Sequence, residues 1–252
     1  MNAPVIALTT FGCTFGCALG AAYLRTLLPP PHFTKESQDV VRLGMGLVAT
    51  MTALLLGIVT ASARSAFDEH DSEIKSSAVS ILTLDRQLAR YGPETKPTRD
   101  LIKQALAFRI EATWPTDASR GQGYGAVIPT VAIEDIENQI LALTPQNDTQ
   151  RWFKSESLRL TQDVLKTRWR ILQATGEIPA TFLFVVIFWL TMTFASFGLY
   201  APTNATVIAV LFIAAVSVAA AMFLIVELDG PFDGLIRVSG EPLRFALSNL
   251  GQ

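Results

Sequence analysis

Between Ile178 and Val226 the chain carries no Asp, Glu, Lys, Arg or His, and the one clear interruption is Ala201-Pro202-Thr203-Asn204. Each arm, Pro179 to Tyr200 and Ala205 to Val226, supplies the roughly 20 apolar residues that cross a hydrocarbon core of about 30 Å. The tract therefore predicts a transmembrane helical hairpin, and two crossings return the chain to the side it left. The hairpin stops abruptly at Glu227-Leu228-Asp229-Gly230-Pro231-Phe232-Asp233-Gly234.

Two further crossings precede it. Val5 to Leu24 lacks a basic leader and its apolar part is longer than the h-region of a signal peptide, so it reads as a retained first membrane helix. Gly12, Gly16 and Gly20 recur every fourth residue on it, a stripe along which another helix backbone can approach closely in lipid. Cys13 and Cys17 sit one turn apart in the same apolar helix and suit packing better than bridging. Pro29-Pro30-Pro31 ends this helix, and Val40 or Leu43 through Ala63 forms the second crossing. On that crossing Leu47, Thr50, Met51, Leu54 and Ile58 share one face at helical spacing. Such a face packs within one chain or, in a symmetric oligomer, stacks into rings around a pore that gate by dewetting.

Arg64 to Glu177 is a polar insertion of helical periodicity. Ile74, Ala78, Ile81, Leu82 and Leu88 mark one stripe, ended by Tyr91-Gly92-Pro93, with Asp85 and Arg86 mostly off it. Thr98 or Asp100 begins a second helix that runs to Trp114-Pro115. Gly121, Gly123 and Gly125 mark a loop, without the Lys-Ser/Thr of a phosphate cradle. Val131 to Leu143 is a short amphipathic helix. Asn147 or Asp148 caps a long one toward Thr175, whose apolar positions are Trp152, Leu158, Leu165, Trp169 and Leu172.

Basic residues flank the membrane ends on the insertion side at Arg64, Lys166, Arg168, Arg170 and Arg237; the other side has Arg25 and Lys35 in the first connection, with Arg42 near it narrowing the difference, and no charge in Tyr200 to Thr206. Positive-inside bias places the insertion and both termini in the cytoplasm. The expected organisation is all-α: residues 1–63 hold the first two transmembrane helices, 64–177 a cytoplasmic helical region, 178–227 the hairpin and 228–252 a cytoplasmic tail.

A net charge of −2, with no block of Lys/Arg, excludes nucleic acid as a leading partner. No His-Glu-x-x-His, Cys-x-x-Cys, Gly-x-Ser-x-Gly or Walker pattern occurs, and His32 and His70 fall on opposite sides of the membrane. Neither an enzyme, a cofactor nor a bound metal is expected. The one compact acidic group beside a turn is Glu227, Asp229 and Asp233, either a weak site for a hard cation or a solvated helix end. No ionisable residue lies mid-span, which argues against a pump.

Several stretches resemble a bacterial family of bestrophin-like membrane proteins. They are Leu54-Leu55-Leu56-Gly57, Leu84 through Glu94 (LDRQLARYGPE), Phe188-Trp189, Phe194 through Asn204 (FASFGLYAPTN) and Glu227 through Ser239, with its Pro231-Phe232-Asp233-Gly234 turn. Glu241-Pro242-Leu243 is similar to the segment that follows this turn in bestrophins. The resemblance implies a pentameric anion channel with four membrane helices, whose second helix lines the pore and forms a hydrophobic neck. Setting Leu56-Gly57-Ile58 against the neck motif places Thr50, Leu54 and Ile58 at the pore. Bestrophins often carry Phe at the neck, where this chain is aliphatic or polar, and the acidic run that holds calcium in animal bestrophins is missing. The expected protein is a homo-oligomer in the bacterial inner membrane, in contact with lipid and passing small anions. The alternative is a non-conducting scaffold or sensor whose cytoplasmic helices bind a partner protein.

Overall fold

The computed structural model describes residues 2–27, 34–115, 130–173, 178–202, 204–232 and 234–251. The triple proline with His32, the loop glycines Gly121, Gly123 and Gly125, and Asp233 lie outside the described residues. Among these there are eight α-helices and no strand: α1 (Ala3–Arg25), α2 (Lys35–Tyr91), α3 (Lys96–Thr113), α4 (Thr130–Ala142), α5 (Asp148–Gln173), α6 (Ala180–Tyr200), α7 (Ala205–Leu228) and α8 (Glu241–Asn249). The helices long and apolar enough to cross a membrane are four, α1, α2, α6 and α7. The chain forms two compact units, Met1–Phe67 with Gly176–Arg237 and Asp68–Thr175 with Val238–Gln252.

In the first unit α1 packs on α6 and α7. Pro4 stands in the first turn of α1, where its missing N–H leaves nothing unpaired. The buried face of α1 is Ala3, Thr10, Thr14 and Ala18. Its threonines enter an apolar interface because Thr10 Oγ1 donates to Ile6 O and Thr14 Oγ1 to Thr10 O, at 2.8 and 2.7 Å. Opposite Ala18 stands Gly198 of α6, where a Cβ would lie 1.9 Å from the Ala18 carbonyl oxygen. Leu183, Val186 and Leu190 of α6 and Met222, Ile225 and Val226 of α7 complete the core with Ala3, and Leu56 and Val59 of α2 touch it. The hairpin turn falls where the apolar tract breaks, and Asn204 caps α7 by accepting from Val207 N at 2.8 Å.

In the second unit the stripe expected from Ile74 onward belongs to the same helix as the crossing before it. Nothing between Ile58 and Tyr91 is Gly or Pro, so the charges after Arg64 change the solvent a helix prefers and do not break it. Thr95 Oγ1 donates to Leu88 O at 2.6 Å and closes the turn after Tyr91. Asp85 is 1% exposed and takes a bidentate pair from Arg99, Nε to Oδ1 at 2.7 Å and Nη2 to Oδ2 at 2.9 Å. Helix α3 begins at Lys96, ahead of the expected Thr98, with Pro97 in its first turn. Asn147 caps α5 as expected, its Oδ1 accepting from Gln150 N at 2.8 Å.

The face expected to bury α5 is corrected. Trp152 and Trp169 are 57% and 52% exposed, and the buried side is Ser157, Leu160, Thr161, Val164 and Arg168. That side keeps helical spacing, but three of its five members are polar and hide it from a reading based on apolar residues. Helix α8 was not expected. It starts on Glu241-Pro242, packs on α3, and buries Leu243 and Ala246.

Candidate functional site

The helix that carries the face singled out by its spacing, α2, is the least covered of the candidate spans. Of its most apolar window 6% is buried, against 39% in α6. Leu47, Leu54 and Ile58 are 65%, 65% and 57% exposed, and Met51 and Thr50 are exposed beside them. Thr50 Oγ1 donates to Gly46 O at 2.9 Å, which leaves the hydroxyl oxygen able to accept. The other side of the helix holds α2 in place through Leu56 and Val59, and Thr52 is buried with its hydroxyl on Val48 O. The five expected residues thus share one face, and all of them are exposed.

Two clefts flank α2 within this unit. One, of about 470 Å³, is lined by Arg42, Met45, Gly46 and Ala49 together with Ser196, Phe197, Tyr200, Ala201 and Pro202. The other, of about 200 Å³, lies beside Ile58, Val59, Ser62 and Ala63 and reaches Pro179, Phe182 and Asp229. Arg42 is the functional candidate that motif reading missed. It lies near the start of the exposed stripe and puts a cation at one end of it.

Two members of the acidic group, Glu227 and Asp229, are built into the fold at the end of α7. Glu227 is buried, its Oε1 accepts the backbone N–H of Leu235, and Gly234 has a φ of +90°. A Cβ on Gly234 would stand 1.9 Å from Glu227 Oε1, so both the backbone angle and the space demand glycine. Asp229 Oδ1 accepts from Ile178 N at 3.2 Å and ties the start of α6 to the end of α7. Pro231 is buried and Phe232 half-buried. Among the described residues no three His, Cys, Asp or Glu side chains gather as a metal site. The Glu227 carboxylate thus ties the end of α7 to the backbone that follows Gly234.

Gly12, Gly16 and Gly20 have nothing within 4 Å of where a Cβ would stand. Within the chain the close approach belongs to Ala18 and Gly198, on another face of α1.

Four helices long and apolar enough to cross a bilayer, with an exposed stripe on the second and a glycine-dependent lock after the fourth, are the features of an all-helical membrane protein. The chain belongs to the Bestrophin-like family, whose Bestrophin-like domain matches residues 12–243. It is similar to a crystal structure of a bacterial bestrophin homologue from Klebsiella pneumoniae carrying a point mutation. That similarity has a TM-score of 0.65, covers 96% of this chain and 98% of that one, and comes with 16% identity. No curated protein matches the chain.

Proposed function

We propose that the chain is the subunit of a homo-oligomeric channel in the bacterial inner membrane that passes small anions along α2. The observation that carries this is the stripe Leu47, Thr50, Met51, Leu54 and Ile58, exposed on a helix whose other side is anchored. Symmetry turns one such stripe into stacked rings, and by family resemblance five copies close them. Rings of Leu and Ile exclude water when narrow, so a small widening wets them and current flows. Arg42 at one end of the stripe raises the local concentration of anions by its field. In this reading the helices α3, α4, α5 and α8 and both termini are cytoplasmic, by the positive-inside bias. The activity is conduction rather than catalysis.

Ile58→Ala and Leu54→Ala are expected to raise chloride flux in proteoliposomes several-fold, because each removes a ring of methyl groups from the constriction. If no small-residue replacement along Leu47 to Ile58 changes flux, α2 does not line a conducting path. A second reading, a scaffold or sensor binding a partner protein, is favoured by the exposure of Trp152 and Trp169 on α5. Large aromatics are the residues that most often anchor a protein interface.

A further inference from the structure

The second unit contains a cavity of about 60 Å³ bounded by α2, α3, α4 and α5. One enclosed water needs about 10–15 Å³ by this measure, so the space admits several heavy atoms. Ile81, Leu84, Ile102, Leu106, Ile136 and Val164 make its walls apolar. Three polar side chains interrupt them: Arg109 from α3, Arg168 from α5, which is 8% exposed, and Thr161 from α5, whose hydroxyl donates to Ser157 O.

Placing two like charges in an apolar chamber is unfavourable. Burial, and then the neighbouring Arg168, push the Arg109 guanidinium down to about 10. Among the described residues no carboxylate pairs with Arg109. Its Nη1 donates to the neutral Ser77 Oγ at 3.3 Å, a long hydrogen bond. An anion seated against Arg109 would offset its desolvation and the repulsion it feels from Arg168.

We propose that this cavity binds a small organic monocarboxylate, with its head on Arg109 and Arg168 and its aliphatic or aromatic body on the Ile, Leu and Val walls. A guanidinium fork matches the two oxygens of a carboxylate. Phosphate would leave further oxygens facing the Ile, Leu and Val walls, and chloride would leave those walls empty. Ligand sites commonly combine such an apolar lining with a few placed polar groups. The site lies apart from the exposed stripe of α2 and does not depend on conduction.

Calorimetric titration of the full chain in nanodiscs with benzoate and with butyrate tests this. Saturable binding of at least one acid to the wild-type protein is expected, at least about tenfold weaker in Arg109→Met, which removes charge-assisted hydrogen bonds. Ala105→Leu fills part of the cavity with both arginines kept, and is also expected to lose binding. It decides the matter if Arg109→Met does not fold. Benzyl alcohol, uncharged but of similar shape, should bind at least tenfold more weakly than benzoate, and inorganic phosphate should not compete. Failure of both acids to bind the wild-type protein, equal binding of benzyl alcohol, competition by phosphate, or wild-type affinity in the folded variants would overturn the proposal.

Discussion

Gly198 is the residue at which two helix backbones meet, with the Ala18 carbonyl oxygen 1.9 Å from the place of any Cβ. Backbone cannot yield as a flexible side chain can, so Gly198→Val must push α1 and α6 apart. A loss of about 3 kcal/mol or more is expected, read as a lowered melting temperature of the purified protein in detergent. Gly12→Val is the control, because its side chain would enter open space, and an equal loss in both variants would refute the account. The sequence displayed four-residue glycine spacing on α1 but not the partner of Ala18. A glycine's neighbour comes from another helix, and spacing along one helix carries no record of it. Asp85 was hidden for a similar reason. Its charge marked it as outward-facing, whereas Arg99 and the Gly251 N–H, the latter at 3.3 Å, satisfy it inside the second unit. A paired buried carboxylate looks like a solvated one until the pair is seen.

At the scale of elements, helices were most legible where apolar spacing was clean, as in the stripe from Ile74 to Leu88 and in α4 around the buried Ile136 and Ile140. Reading failed for α5, because its inward face is built of Ser157, Thr161 and Arg168 as much as of Leu160 and Val164. It also passed over α8, whose nine residues are too few for periodicity to stand out. That short helix matters to the second unit. Trp114 Nε1 donates to Val238 O at 2.9 Å, its ring lies 2.9 Å from where a Gly240 Cβ would stand, and Lys103 Nζ reaches Leu250 O at 3.3 Å. Leu243, Ala246 and Leu250 are essentially buried. Burying one large aliphatic side chain contributes about 1.5–3 kcal/mol, so deletion of residues 238–252 is expected to destabilise the second unit by several kcal/mol. Faster cleavage in limited proteolysis, within 68–175, would register this, and an unchanged digestion pattern would contradict it.

For the whole molecule, the four candidate spans were legible because crossing a bilayer demands a property that any window of about 20 residues displays. What α2 packs against was not, since lipid and a second copy of the chain both accept an apolar face. The proposed channel requires copies, so size-exclusion chromatography with light scattering in mild detergent should show an oligomer, five subunits by resemblance. A monomer across a range of mild detergents would favour the scaffold reading. The exposed stripe of α2 carries a further consequence for such an assembly. In water, association is driven by apolar surface leaving solvent, but acyl chains solvate Leu47 and Leu54 as well as another subunit does. In a closed ring the stripe faces the pore, so assembly removes it from lipid that solvates it well, and the drive to assemble must come from other faces. The relevant dilution is then the number of subunits per lipid in the bilayer, and changes in acyl-chain length or order would shift the population of assembled rings without any ligand.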